Sequence, residues 1–259
     1  MIAKKYTSLA HIKSDISQGK ITCTDLANYY LSKNEEHEHL NAVLEVFGEE
    51  VKTRAAAIDQ KIKDGTAGKL AGMFLAIKDN ICYKDHKASG SSKILENYEA
   101  IYTATALQRL LDQDVIIISR TNCDEFAMGA SNENSAFGPV KNAADQSKVP
   151  GGSSGGSAVA VQADLCLAAL GSDTGGSVRQ PSSFTGTFGL KPTYGRISRY
   201  GLFAYASSFD QIGPMTKSLE DNMLLTEIMA GFDQHDATMR QQPADKYTTA
   251  VAPKKAKFA

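Results

Sequence analysis

Hydrophobic positions change period several times along the chain, and each change marks an element. In DLANYYLSKNEE, residues Leu26, Tyr29, Tyr30 and Leu31 share one face at helical spacing, with Thr24 placed to cap the helix. LNAVLEVF (40–47) mixes β-branched and aromatic residues and predicts a strand. EEVKTRAAAIDQKIKDG predicts a helix ending at Gly65, a residue suited to the C-terminal cap. GMFLAIKDN is a short apolar strand running into Lys78, and TATALQRLLDQD is a helix. VIIISRTN (115–122) is apolar on both faces, which predicts a central strand covered by helices on both sides. Ser218 opens SLEDNMLLTEIMAG, with Glu220 and Asp221 in its first turn and Gly231 at its end. Helices alternating with strands predict an α/β fold, an α/β/α sandwich around a mixed or mostly parallel sheet.

Between Val149 and Ser183 the pattern breaks into VPGGSSGGSAVAVQADLCLAALGSDTGGSVRQPSS. Two glycine-serine clusters, 151–157 and 175–177, enclose a helix-like apolar run and a short buried strand-like run. From Asp233 onward the chain turns polar, with two prolines and a basic patch, and reads as a loop leading to elements beyond Ala259.

The 259 residues are 42% hydrophobic, enough for a globular protein of one or two domains. No window approaches the ~18 uncharged apolar residues of a membrane span. The opening MIAKKYTSLAHIKSD lacks the apolar core of a signal peptide, so the expected location is the cytoplasm, with no membrane partner. Cys23, Cys82, Cys123 and Cys166 are far apart, without CxxC spacing, and read as reduced thiols. A net charge of −1 offers no basic face with which this chain alone would grip a nucleic acid.

The glycine-serine clusters carry candidate chemistry. In DTGGSVRQP, glycines allow a strand-to-helix turn in which the amides of Thr174, Gly175, Gly176 and Ser177 converge, a nest suited to an oxyanion. Taken alone, GGS is more often a tight turn or a phosphate-binding loop. A serine needs a base. None of His11, His37, His39, His86 and His235 sits in a stretch that reads as a buried orienting site, and His37 and His39 in EEHEHL read as solvated rather than as metal ligands. G-x-S-x-G is present in form at 151–155 and 152–156, but without a convincing histidine. Lys78 follows four apolar residues, and burial there would favour the neutral amine. On its own, a strand-end lysine more often extends its head to water.

Lys78, GGSSGGS and DTGGSVRQP, in this order and at these separations, resemble the amidase signature family, densely over 70–217 and loosely outside it. The resemblance implies one amidase domain over 1–259, incomplete at its C-terminus, with a Ser–cis-Ser–Lys triad. By residue-by-residue carry-over, Ser177 is the nucleophile, Ser153 the bridging serine held by a cis peptide, and Lys78 the base. The backbone of Thr174, Gly175, Gly176 and Ser177 becomes the oxyanion hole, and Met128, Gly129, Ser153, Asp173 and Gln180 the substrate-facing set. Asp173 and Arg179 are expected first to support the nucleophile loop, and Ser154 and Ser157 to bind neighbouring backbone.

EFAMGASNENSAFGPVKN (125–142), the stretch 188–218 and Gln180 are similar to the glutaminase subunits of tRNA-dependent amidotransferases. That branch implies glutamine as substrate and ammonia delivered to a B subunit. The B subunit holds tRNA and uses ATP and Mg²⁺, while a small C subunit completes a heterotrimer. No cofactor or metal is implied in this chain. The family's chain continues beyond residue 259, where most of its glutamine-recognising charged groups lie. Two rival readings stay open: a stand-alone amidase on small amides, and an inert assembly fragment.

Overall fold

The computed structural model describes residue 2, residues 5–244 and residues 246–249. The basic stretch expected at the very end of the chain lies outside the described residues. The order of elements is α1 (Leu9–Ser17), α2 (Cys23–Glu36), β1 (Val43–Val46), α3 (Gly48–Lys63), β2 (Phe74–Lys78), α4 (Thr105–Leu111), β3 (Ile116–Thr121), α5 (Gly155–Gln162), β4 (Ala168–Asp173), α6 (Arg179–Thr185), β5 (Phe188–Gly189), β6 (Gln211–Thr216) and α7 (Leu219–Met229).

The six strands form one mixed sheet in the order β1-β3-β2-β4-β6-β5. Strands β3, β2 and β4 run parallel at its centre, β1 and β6 antiparallel to their neighbours, and β5 closes the far side. Every residue of β2, β3, β4 and β6 is buried. Successive side chains point to opposite faces, so complete burial means that both faces are covered. This is the α/β architecture with a central mixed sheet that the sequence predicts, and the all-apolar run at 115–122 does occupy an inner position. Tyr30 of α2 packs on Phe74 of β2 with ring centroids 5.1 Å apart, tying the N-terminal helices to the sheet.

Local chemistry fixes the boundaries. Helix α2 begins two residues earlier than the spacing suggests. Thr22, not Thr24, is the cap, and its hydroxyl and Asp25 form a reciprocal capping box. Thr24 instead donates to Asp59 of α3 at 2.7 Å. Ser218 caps α7 through Asp221 N, as predicted. Helix α3 gives way at Gly65, whose φ of 69° is left-handed. Strand β1 is shorter than predicted, because Leu40 lies in a 3-10 turn. The hydrophobic pattern does not announce α1, α6, β5 or β6.

All four cysteines are buried free thiols. Among the described residues no helix is long and apolar enough to cross a membrane.

Candidate active site

The C-terminal ends of the three parallel strands meet at one place. Strand β2 ends on Lys78, β4 on Ser172 and Asp173, and the chain beyond β3 supplies Cys123 and Asp124. Open α/β sheets place their sites at such strand ends.

Lys78 is fully buried. Its Nζ lies 2.6 Å from Ser153 Oγ and 2.9 Å from Ser172 Oγ. Burial pushes the amine down to about 8, against the opposing pull of Cys123, Asp124, Asp173 and Asp210. The strand-end lysine therefore does not reach for water. Its head is held inside, where burial shifts the balance toward the neutral amine.

Ser153 precedes α5, and the Gly152–Ser153 peptide bond is cis, the bond the sequence resemblance marks. Its loop is fastened on several sides. Ser153 O accepts from Asp124 N at 3.2 Å, and Ser154 N donates to Ser177 O at 3.2 Å, joining the two serine clusters directly. Ser154 Oγ donates to Ser172 O at 3.1 Å, and Ser157 Oγ to Leu170 O at 3.0 Å, the backbone roles expected of both serines. Asp124 is wedged where two glycines leave room. A Cβ on Gly129 would stand 2.3 Å from its Cγ, and one on Gly152 would stand 2.1 Å from its Oδ2. Burial raises the Asp124 carboxyl.

Ser177 lies in the turn between β4 and α6 and is partly exposed. Its Oγ has no hydrogen-bond partner among the described residues, and neither have the amides of Thr174, Gly175, Gly176 and Ser177. Backbone donors without protein acceptors, beside a free hydroxyl, leave a place for an incoming carbonyl oxygen. The turn is held from behind. Buried Asp173 accepts from Val178 N at 3.0 Å and Arg179 N at 3.2 Å, and pairs with the Arg179 guanidinium at 2.9 Å. The Arg179 side chain and the two backbone N–H groups keep the Asp173 carboxyl below its ordinary range despite burial.

The remaining residues of the expected substrate-facing set divide. Met128 is exposed beside Gly129, and its carbonyl accepts from Asn134 Nδ2 at 2.9 Å. The Gln180 amide is occupied at both ends by protein. Its Oε1 accepts from Gly152 N at 2.9 Å, and its Nε2 donates to Ala130 O at 2.9 Å. Gln180 thus fastens the Ser153 loop to the 128–131 wall, while Asp173 faces its own loop.

Sequence reasoning missed Ser172, Asn80 and Asp124. The available signal was a serine inside the otherwise buried strand AALGSD and polar residues directly after apolar strands. Among the described residues, no group of three or more His, Cys, Asp or Glu is arranged to hold a metal ion.

A serine-lysine site at the ends of parallel strands in a mixed sheet defines a class, and comparison with known proteins identifies it. The amidase family's sequence model matches residues 25–259, and the chain belongs to that family. It is 51% identical over 248 residues to the A subunit of the glutamyl-tRNA(Gln) amidotransferase of Chlorobium phaeobacteroides, covering 95% of this chain and 52% of that protein. The crystal structure of the same amidotransferase component from Thermotoga maritima superposes with a TM-score of 0.74 at 41% identity, over 86% of this chain and 48% of that one. The native peptide amidase of Stenotrophomonas maltophilia gives 0.87 at 33% identity, over 93% and 52%. The chain spans about half the length of the curated relatives it matches.

Proposed function

We propose that this chain carries the glutamine-hydrolysing chemistry of a tRNA-dependent amidotransferase. Neutral Lys78 takes the proton of Ser153, which takes that of Ser177. Ser177 Oγ forms a bond to the carboxamide carbon of glutamine, and the resulting oxyanion is received by the amides of 174–177. The C–N bond then breaks, the proton returns through Ser153 to the leaving nitrogen, and ammonia departs. Water, deprotonated along the same line, cleaves the glutamyl ester to glutamate and restores Ser177.

The observation that carries this reading is the 2.6 Å contact between a wholly buried lysine and Ser153. The names of relatives at 51% identity support glutamine, rather than a free peptide amide, as the nitrogen donor. In the complete assembly a B subunit uses ATP and Mg²⁺ to activate Glu-tRNA(Gln) and receives the ammonia, and a C subunit completes a cytoplasmic heterotrimer.

The test joins the glutaminase component to its B and C partners and compares the native enzyme with Ser177→Ala. The variant is expected to lose glutamine-dependent formation of Gln-tRNA(Gln) and to keep formation from free ammonia. A variant that loses both would show that Ser177 does more than release ammonia. Native enzyme that hydrolyses simple amides but not glutamine would favour a stand-alone amidase.

A further inference from the structure

Two polar side chains beside Lys78 have no place in the triad. Ser172, next to the last residue of β4, sets its Oγ 2.9 Å from Lys78 Nζ. Asn80, two residues beyond the end of β2, donates from Nδ2 to the same oxygen at 2.9 Å. Ser172 is 5% exposed and Asn80 1%. Neither position reaches water freely, so the hydrogen bonds to Ser172 Oγ matter there, while Asn80 Oδ1 is buried without a partner among the described residues.

A neutral primary amine has two N–H bonds and one lone pair, set tetrahedrally about nitrogen. It acts as a base toward Ser153 only when the lone pair faces Ser153 Oγ. Rotation about the Cε–Nζ bond offers three staggered settings, and two of them turn an N–H toward Ser153 instead. A hydroxyl oxygen that accepts an N–H in a second direction excludes the setting whose lone pair points that way, and so raises the share of the setting whose lone pair faces Ser153. Ser172 Oγ stands at hydrogen-bond distance in such a direction, and the Asn80 N–H keeps that oxygen from turning away.

We propose that Ser172, held by Asn80, is a positioning residue that biases the rotation of the Lys78 amine toward the setting in which its lone pair faces Ser153. The proposal rests on the reading of Lys78 as base. It adds a second effect. Once Lys78 is protonated, the Ser172 oxygen still accepts from it, and a hydrogen bond accepted from the charged form favours that form. Ser172 therefore supports the basicity that burial erodes. The other ionisable groups acting on Lys78 are Cys123 and Asp124 beyond β3, Asp173 at the end of β4 and Asp210 before β6. The substitutions below leave all four unchanged.

A fluorophosphonate probe reports on this machinery without requiring a glutamine pocket. The Ser177 O–P bond forms, the P–F bond breaks, fluoride leaves, and the Ser177 proton passes through Ser153 to Lys78. The labelling rate is measured against pH on this chain, with Ser177→Ala as the blank. Native chain that does not label overturns the base reading and this proposal with it. Given labelling, Ser172→Ala is expected to slow it roughly ten- to a hundredfold, part of the ~10²–10⁴ that a positioned base contributes, and to move the acid limb of the profile to lower pH. Ser172→Thr, which keeps the oxygen, is expected to restore both rate and limb. Asn80→Ala is expected to slow labelling by a smaller factor. An unchanged rate in Ser172→Ala, or a slower rate with an unmoved acid limb, would overturn the proposal, since a purely structural serine leaves the titration of Lys78 alone. Should Ser172→Ala not fold, slow Asn80→Ala beside native-like Ser172→Thr supports the proposal, and native-like Asn80→Ala overturns it.

Discussion

Lys78 is fully buried, with two hydroxyl oxygens within 2.9 Å of its amine. Ser177, the proposed nucleophile, is partly exposed, and its Oγ has no hydrogen-bond partner among the described residues, Ser153 Oγ included. The contrast follows from where each sits. Lys78 ends a strand flanked by parallel neighbours on both sides, whereas Ser177 occupies a turn whose backbone is fastened by Ser154 N and by Asp173 while its hydroxyl is left open. Under the proposed function the buried end tunes a proton affinity, which needs an environment shielded from water. The open end must admit a substrate carbonyl, which needs unused donors. Under the proposed function, proton handling falls to groups buried within this chain, and contact with the substrate carbonyl falls to the partly exposed side.

The largest effect that tests this contrast is Lys78→Arg. Arginine keeps the charge but cannot give it up in a protein, so amide hydrolysis or probe labelling should fall by ~10²–10⁴, as far as in Lys78→Ala. Near-native rates in the arginine variant would mean that the buried end supplies charge and not proton transfer. Next is pH. With the amine depressed to about 8, the rate should rise roughly tenfold per pH unit up to that region and then level off. The sign follows from the neutral form being the active one. A rate falling over the same interval would break the assignment.

Gln180→Leu sharpens the boundary between the two ends. Leucine keeps the bulk but leaves Gly152 N and Ala130 O without their partner, loosening the Ser153 loop. The expected result is roughly a tenfold loss in kcat with KM little changed, about 1.4 kcal/mol in the barrier. A rise in KM alone would make Gln180 a substrate contact instead. The smallest effect belongs to Arg179→Ala. That side chain is 50% exposed, and Asp173 keeps its two backbone donors without it. The loss should stay below ~1 kcal/mol, read as a fall in melting temperature of no more than about 2–4 °C.

Much of the sheet is legible along the chain because its signal is local. Ile116, Ile117 and Ile118 make β3 apolar on both faces, and FLAI leads directly into Lys78. The triad members are placed by resemblance, since nothing local in GGSSGGS tells which serine meets a lysine 75 residues away. Strand β6 is hidden because Pro214 in its interior argues against a strand by itself, and only pairing with β4 shows it to be one. Strand β5 has two residues and no period to read. Thr24 suggests itself as the cap because it stands next to the apolar stripe. Thr22 holds that position because Asp25 lies three residues after it, completing the box. Ser172 and Asn80 are invisible for a related reason. Their significance lies in a shared contact with Lys78 across two strands, and no spacing along the chain encodes it.

The four buried thiols give the folded chain a set of internal clocks. Cys23 opens α2, Cys82 follows β2, Cys123 follows β3 and Cys166 precedes β4, so the sulfurs sample separate parts of the core. Burial raises Cys82 to about 11 and Cys123 and Cys166 to about 12, and a thiol reacts as its thiolate. In the native state each is therefore shielded by both access and ionisation. A thiol-reactive dye reaches a given cysteine only when its surroundings open, so the four modification rates read out four local unfolding equilibria. Cys123 stands close enough to Lys78 for each to shift the other's ionisation. Its clock runs at the proposed catalytic base itself and times how often that buried end of the site comes apart.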